Sequence, residues 1–216
     1  MGCPRKPADI VATFRRARVL TLEELTARLS FSRSTVLRRL SEQGYYSSYN
    51  HRGKFLTLEE VAEFDSRGLW AWNIARFSNH GSLKETAEHF IESSEPGMTH
   101  EELSTLLGVR VHNSLLELVD EKRVRRERLG PTFVYLSAKT RLRREQVHRR
   151  SSLIEEQRRA QPTSQQVIAV LLELIKDPKA SRDEIAARCH RAGARITRTV
   201  VDAIFNAYDL DKKRAL

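Results

Sequence analysis

The chain repeats itself, and that repeat limits what it can fold into. Setting Thr21-Leu22-Glu23-Glu24-Leu25 over Thr99-His100-Glu101-Glu102-Leu103 fixes an offset of 78 residues. Continued without a gap, Leu29 falls on Leu107, Phe31 on Val109, Leu37 on Leu115, Leu40 on Leu118, Phe55 on Phe133 and Leu58 on Leu136. Apolar positions stay in step over almost 40 residues. Two copies of one supersecondary unit account for this.

Each copy has the same local signals. Thr21 with Glu24, and Thr99 with Glu102, form capping boxes. In such a box the hydroxyl accepts from the third helical amide and the carboxylate reaches back to the cap. A short helix follows over 22–29 and 100–107, with apolar residues at i and i+4 (Leu25 and Leu29, Leu103 and Leu107). A tight break comes next, Ser30-Phe31-Ser32 and Gly108-Val109-Arg110. A second helix is expected over about 33–43 and 111–121. Gly44 suits a helix C-cap. Alternating, β-prone residues then run from Tyr45 to Leu58, bent at Asn50-His51-Arg52-Gly53, and from Val124 to Leu136, bent at Gly130-Pro131. A leading helix completes each copy: Pro7 to Arg18, with Ile10, Val11 and Phe14, and Ser82 to Ser93, opened by the box Ser82 and Glu85.

Helix, helix, tight turn, helix, hairpin: this order resembles the winged helix-turn-helix superfamily. The residues that carry the resemblance are Leu20 to Leu25, Ser-Arg-Ser-Thr-Val-Leu-Arg-Arg-Leu at 32–40, Gly44, and Gly-Lys-Phe-Leu-Thr-Leu at 53–58. It covers about 8–58 and 82–137. Copy two departs at its second helix, with His112, Asn113 and Glu117 against Ser34, Thr35 and Arg39. The expected fold is mainly α with small β-hairpin wings (α+β): two tandem winged helix-turn-helix domains, 1–58 and 82–138, plus a C-terminal helical domain.

Residues 59–81 form a connector. Thr57 with Glu60 is expected to cap a short helix to about Asp65. If 68–77 is extended, Trp70 and Trp72 share one face. They either stack on bases or glue the copies to each other or to a partner. Residues 139–162 read as a basic linker helix, solvated or with its arginines along phosphates. Thr163 to Leu216 reads as three helices, the second capped by Ser181 and Glu184. This last part is either a degenerate helix-turn-helix with no wing following or an oligomerisation domain.

Charge narrows the function. The chain has 38 Lys and Arg against 28 Asp and Glu, a net charge of +10 and a pI near 10. A balance this basic points to a polyanion, most often nucleic acid. The charge is uneven: +5 over 1–80, −3 over 81–138, +5 over 139–162 and +3 over 163–216. No apolar run is long enough to span a membrane. The first residues lack the apolar stretch of a secretory signal, and Lys6 stands where a myristoylation signal has Ser or Thr. Two cysteines build no disulfide framework, which fits a reducing compartment, and the expected location is cytoplasmic, with the nucleoid. Metal-ligand spacings and phosphate-cradling glycine loops are lacking, so no metal, no cofactor and no enzyme activity are expected. Tyr45, Tyr46 and Tyr49 lack the arginine and histidine set a recombinase nucleophile needs.

The resemblance implies that the second helix of the motif enters a DNA major groove with its N-terminal residues at base edges. Here these are Ser32, Arg33, Ser34, Thr35 and Arg38, with Arg39 beside them. The wing would bring His51, Arg52 and Lys54 to the backbone. In copy two the candidates are Arg110, His112 and Asn113, with wing arginines Arg125, Arg126 and Arg128. Arg143 and Arg144 of the linker helix complete the set. The expected function is sequence-specific binding of double-stranded DNA, as a transcriptional regulator or as an accessory or initiator protein of a mobile element. RNA binding stays open, as does a structural role in which domain 2 or the C-terminal domain holds a protein partner or a second copy.

Overall fold

The computed structural model describes residues 9–211, and of 159 and 160 the backbone alone. The fold is α+β. Its helices carry most of the chain, and its short strands form three small antiparallel sheets. The chain divides into two compact units, one up to Arg150 and one from Ser151.

The first copy runs α1 (Ile10–Ala17), β1 (Leu20–Thr21), α2 (Leu22–Leu29), α3 (Arg33–Gln43), β2 (Tyr45–Ser47) and β3 (Phe55–Leu58). Asp9 caps α1 by accepting from the Val11 amide at 3.0 Å. Pro7, where the sequence reading starts this helix, lies outside the described residues. Thr21 and Glu24 close their capping box on α2, and Gly44 ends α3 with φ +73°. The sheet order is β1-β3-β2. Phe14, Leu25, Val36, Leu40 and Leu58 are fully buried beneath it. Each such side chain stabilises the copy by about 1.5–3 kcal/mol relative to exposure.

The second copy repeats this path: α4 (Leu83–Ser93), β6 (Met98–Thr99), α5 (His100–Leu107), α6 (His112–Asp120), β7 (Val124–Leu129) and β8 (Thr132–Ser137). Its sheet order is β6-β8-β7. The offset of 78 holds only as far as α5. The turn before α6 is one residue longer, so Arg33 corresponds to His112, 79 residues on. Strand pairing confirms the shift. Tyr45 pairs with Leu58 and Val124 with Ser137, again 79 apart on both strands. Phe55 and Leu58 therefore match Val134 and Ser137, not Phe133 and Leu136. On α6, His112, Asn113 and Glu117 match Arg33, Ser34 and Arg38. An ungapped alignment hides the extra residue because α3 and α6 both carry leucines near the register that a one-residue slip permits.

The connector is a hairpin, β4 (Leu69–Trp72) with β5 (Ala75–Ser78). The helix expected after Thr57 does not form, because both capping groups are engaged elsewhere. Thr57 lies in β3 and its hydroxyl donates to the Arg18 carbonyl at 2.8 Å, while Arg15 holds the Glu60 carboxylate at 3.2 Å. Residues 59–61 make a turn instead. Trp70 and Trp72 do share a face, with ring centroids 6.0 Å apart, but Trp70 is buried and stacked on Phe77. The Arg18 guanidinium lies 4.8 Å from the Trp72 ring. Trp70 has no face left for a base. The hairpin packs into both copies: Trp70 and Phe77 against Val19, Tyr46 and Phe55, and Leu69 into the core of copy two.

Helix α7 (Thr140–Ala160) is continuous, but its first half is no solvated linker. Gln146 is fully buried. Its amide donates to the carbonyls of Ile91 (2.7 Å) and Ser94 (2.9 Å) and accepts from the Ser137 amide (2.8 Å). Arg150 donates to the carbonyls of Pro96 and Gly97 and to the Glu102 carboxylate. Gly97 itself sits at φ +65°, where a Cβ would lie 2.8 Å from the Tyr135 carbonyl, so only glycine lets this loop close on β8.

The second unit holds α8 (Ser164–Lys176), α9 (Arg182–Arg191) and α10 (Arg198–Ala207). Capping boxes at Thr163 and Gln166 and at Ser181 and Glu184 start α8 and α9. Val170, Ile185, Cys189, Val201, Ile204 and Phe205 make its core. Among the described residues no helix is long and apolar enough to cross a membrane.

Candidate nucleic-acid interface

The N-terminus of α3 is built from short hydroxyl side chains. Ser32 accepts from the Thr35 amide at 3.3 Å, and its Oγ lies 3.0 Å from that of Ser34 and 2.9 Å from Thr35 Oγ1. Because Val36 and Leu40 fill the core, the other faces of α3 look outward. Arg33, Ser34 and Arg38 are exposed. Arg38 is held only loosely, 4.0 Å from Glu42. Arg39 is turned back over the Phe31 ring at 4.1 Å and is half-buried.

The bend between β2 and β3 is held in an unusual shape. His51, Arg52 and Gly53 all have positive φ, at 49°, 57° and 71°. Two consecutive left-handed residues other than glycine cost energy and persist only where neighbours enforce them. The enforcing groups are visible. Asn50 donates to the Ile74 carbonyl at 2.7 Å and accepts from the Arg76 amide at 3.0 Å. The Tyr49 amide donates to the Arg76 carbonyl, and Ser48 donates to the Asn50 carbonyl. The connector hairpin thus fixes the bend. His51 lies edge-on to Phe55 at 5.6 Å.

Helix and bend meet in a groove of about 300 Å³. Arg33 and Leu37 line it from α3, Arg52 and Lys54 from the bend, Tyr45 and Leu56 from the strands, and Glu23 from α2. Among the described residues Arg33, Arg52 and Lys54 form no ion pair, and all three are exposed. Arg33, Arg52 and Lys54 thus bring positive charge to one concave surface, with the Glu23 carboxylate in its lining.

Copy two presents another surface. Val111 stands at the cap of α6 and offers no side-chain hydrogen bond. His112 and Asn113 are exposed, with the His112 ring edge-on to His100 at 6.0 Å. Lys84 binds Glu117 at 3.1 Å and Glu121 at 2.6 Å, and Arg123 binds Glu88 and Glu121. On β7, Arg126 lies over the Phe133 ring at 3.8 Å, while Arg125 and Arg128 are exposed. Arg143 is taken by Glu127 at 3.4 Å; Arg144 and Arg110 are exposed. The structure therefore gathers Arg33, Arg52 and Lys54 into one groove beside Ser32, Ser34 and Thr35. It diverts Arg39 and Arg143 to internal partners, and none of the copy-two candidates lines that groove.

Tyr49 and Asn50 are the functional neighbours that the sequence reading missed as a pair. The Tyr49 hydroxyl donates to the Leu107 carbonyl at 2.7 Å, tying the bend of copy one to the end of α5. Burial pushes its phenol up to about 12, the opposite of what a nucleophile needs. An Asn before a glycine-ended turn is the one local signal available for this clamp. Among the described residues no group of three or more His, Cys, Asp or Glu side chains could hold a metal ion. Comparison with protein-family models, with curated proteins and with solved structures finds no match to this chain.

Proposed function

We propose that this chain is a sequence-specific double-stranded DNA-binding protein built on two winged helix-turn-helix copies. In this reading copy one is the reader. The groove between α3 and the bend at 50–54 carries the argument, since it joins Arg33, Arg52 and Lys54 at the open N-terminus of a helix. Helix α3 enters the major groove, with Ser32 to Thr35 and Arg38 at base edges. Arg33 and Arg38 are planar donors suited to guanine or to phosphate. Arg52 and Lys54 take the adjacent backbone. Copy two contributes the exposed Arg125 and Arg128 to phosphates. A regulator of transcription and an accessory or initiator protein of a mobile element both need such a module.

A second reading has its own support. Residues 81–138, which include copy two, carry a net charge of −3, which suits that copy to a basic protein partner. Selection from a randomised duplex pool at about 150 mM salt tests the proposal, with double-stranded RNA and single strands as competitors. One enriched motif is the expected result, and Arg33→Ala with Arg38→Ala abolishes the enrichment. Full site preference in that double variant overturns the assignment of α3. Binding that RNA competes away overturns the DNA reading.

A further inference from the structure

The groove beside α3 holds a carboxylate among its cations. Glu23, in the first turn of α2, lines it together with Arg33, Arg52 and Lys54. Glu23 is exposed, and among the described residues it forms no ion pair. The cap does not use its side chain. Glu24 fills that role, accepting from the Thr21 amide at 2.7 Å. As a first-turn acid Glu23 suits the positive end of α2, and Glu101 stands in the same place on α5. The two differ in their surroundings, because Glu101 does not line the groove.

A groove that holds only phosphate gains nothing from a carboxylate. Two like charges about 6–8 Å apart in water repel enough to weaken binding about two- to fivefold. A carboxylate beside arginine suits a surface that offers acceptors and a donor side by side. The major-groove edge of a G·C pair is such a surface. Guanine presents O6 and N7 as acceptors, and cytosine presents its N4 amino group as a donor. Arginine binds the first and a carboxylate accepts from the second. At an A·T pair the adenine amino group stands between single acceptors, adenine N7 and thymine O4, so Arg33 would lose its two-pronged partner.

We infer that Glu23 is a specificity-determining residue of this groove: it accepts a hydrogen bond from a cytosine N4 amino group and repels a phosphate that would settle in the same place. The inference rests on the DNA reading proposed above. Glu23 then discriminates twice. It favours the right base through a contact, and it disfavours the bare backbone through like charge. Arg33 and Glu23 together read one G·C pair, while Arg52 and Lys54 stay with the adjacent backbone.

The test carries the full-length wild type, Glu23→Ala and Glu101→Ala through the same selection from a randomised duplex pool. Kd is then measured at about 150 mM salt on the selected site and on a duplex of unrelated sequence. Both variants lose one carboxylate from the first turn of a matching helix, so they change net charge and helix stability alike. Wild type and Glu101→Ala should enrich the same motif. Glu23→Ala should lose the preference at one G·C position and keep the others. It should bind the unrelated duplex about two- to fivefold tighter. Its ratio of site to unrelated affinity should fall about 5- to 50-fold. If Glu23→Ala keeps the wild-type motif, the inference is overturned, even where every duplex binds tighter, and the DNA reading stands. An equal fall in the ratio for Glu101→Ala traces the effect to bulk charge and overturns it too. A preference lost at an A·T position overturns the choice of cytosine. A wild type that enriches no motif overturns the DNA reading itself and this inference with it, and the wild-type arm alone reports that outcome.

Discussion

Helices α3 and α6 hold the same place in the repeat and present opposite chemistry. Ser32 caps α3 and leaves Arg33, Ser34 and Arg38 open to solvent. At the matching positions α6 has Val111 without a side-chain cap, then His112, Asn113 and Glu117. Glu117 is neutralised from within by Lys84. The two copies therefore share the capping boxes of α2 and α5, an apolar core and the sheet order, while the outward faces of α3 and α6 differ in charge. A scaffold is held by burial, which both copies share. The outward positions of a helix contribute little to stability and are free to specialise.

The largest expected difference between the copies lies away from these helices. Copy one buries Leu58 where copy two buries Ser137, and Gln146 of α7 satisfies the backbone around Ser137. Gln146→Leu leaves the Ser137 amide and the Ile91 and Ser94 carbonyls without their partner. The loss should be about 3 kcal/mol, confined to copy two. Hydrogen exchange should speed up in α4 and β8 and stay unchanged in α2 and β3. Uniform acceleration would mean that the two copies unfold as one.

The DNA reading gives the next effect. Arg33→Ala with Arg38→Ala should weaken binding to the selected site by about 30- to 20,000-fold, at roughly 1–3 kcal/mol for each of the two base contacts. The matched pair on α6, His112→Ala with Glu117→Ala, should leave the affinity intact. Equal losses from both pairs would show that the copies read DNA alike and would remove the asymmetry argued above.

The sequence made the capping boxes and apolar spacings plain, because both depend on neighbours within one turn of helix. Thr21 with Glu24, Leu25 with Leu29, and Val36 with Leu40 are local facts. The extra residue before α6 was hidden, because sliding a leucine-rich helix by one position still puts a leucine on a core site. The burial of Trp70 and the latch of Gln146 were hidden for another reason. A tryptophan in a connector gains its role from Phe77, Phe55, Tyr46 and Val19, and a glutamine in a basic helix from Ile91 and Ser94, 55 and 52 residues back, and no local pattern encodes those contacts. The same holds at the interface. Arg33, Arg52 and Lys54 were legible one by one. That Arg39 turns back to Phe31 and Arg143 to Glu127 is a matter of packing.

Smaller effects test the clamps. Tyr49→Phe removes the bond to the Leu107 carbonyl and should cost about 1 kcal/mol. Ser32→Ala should cost a similar amount through the lost cap. The two should differ in reach. Tyr49→Phe should loosen the bend and the end of α5 together, while Ser32→Ala should fray α3 alone. Proteolysis at residues 50–54 separates them, and equal protection in both variants would deny that Tyr49 links the copies.

The smallest effect compares the two capping-box glutamates as pH falls. Glu24 is held below its ordinary value of 4.5 mainly by the Thr21 amide. For Glu102, burial pushes the carboxyl up, but two bonds from Arg150, at 2.8 and 2.9 Å, and the Thr99 amide outweigh it and hold it low. A carboxylate whose folded value is depressed adds stability that is complete above its unfolded value and is lost as pH falls through the folded value. Glu102→Gln should therefore destabilise copy two at pH 7 by about 0.5–1 kcal/mol, as befits a partly exposed pair. The penalty should shrink as pH falls below 4.5 through the depressed folded value of Glu102, where the wild-type carboxyl takes up its own proton. Glu24→Gln, which breaks no hydrogen bond from an arginine and gives up only the weaker attraction of Arg28 and Lys54, should show a smaller loss over the same acid range. Unfolding free energies measured from pH 7 to pH 3 decide the matter: parallel curves for the two variants would mean that α7 adds nothing to this cap, and that the latch on copy two rests on Gln146.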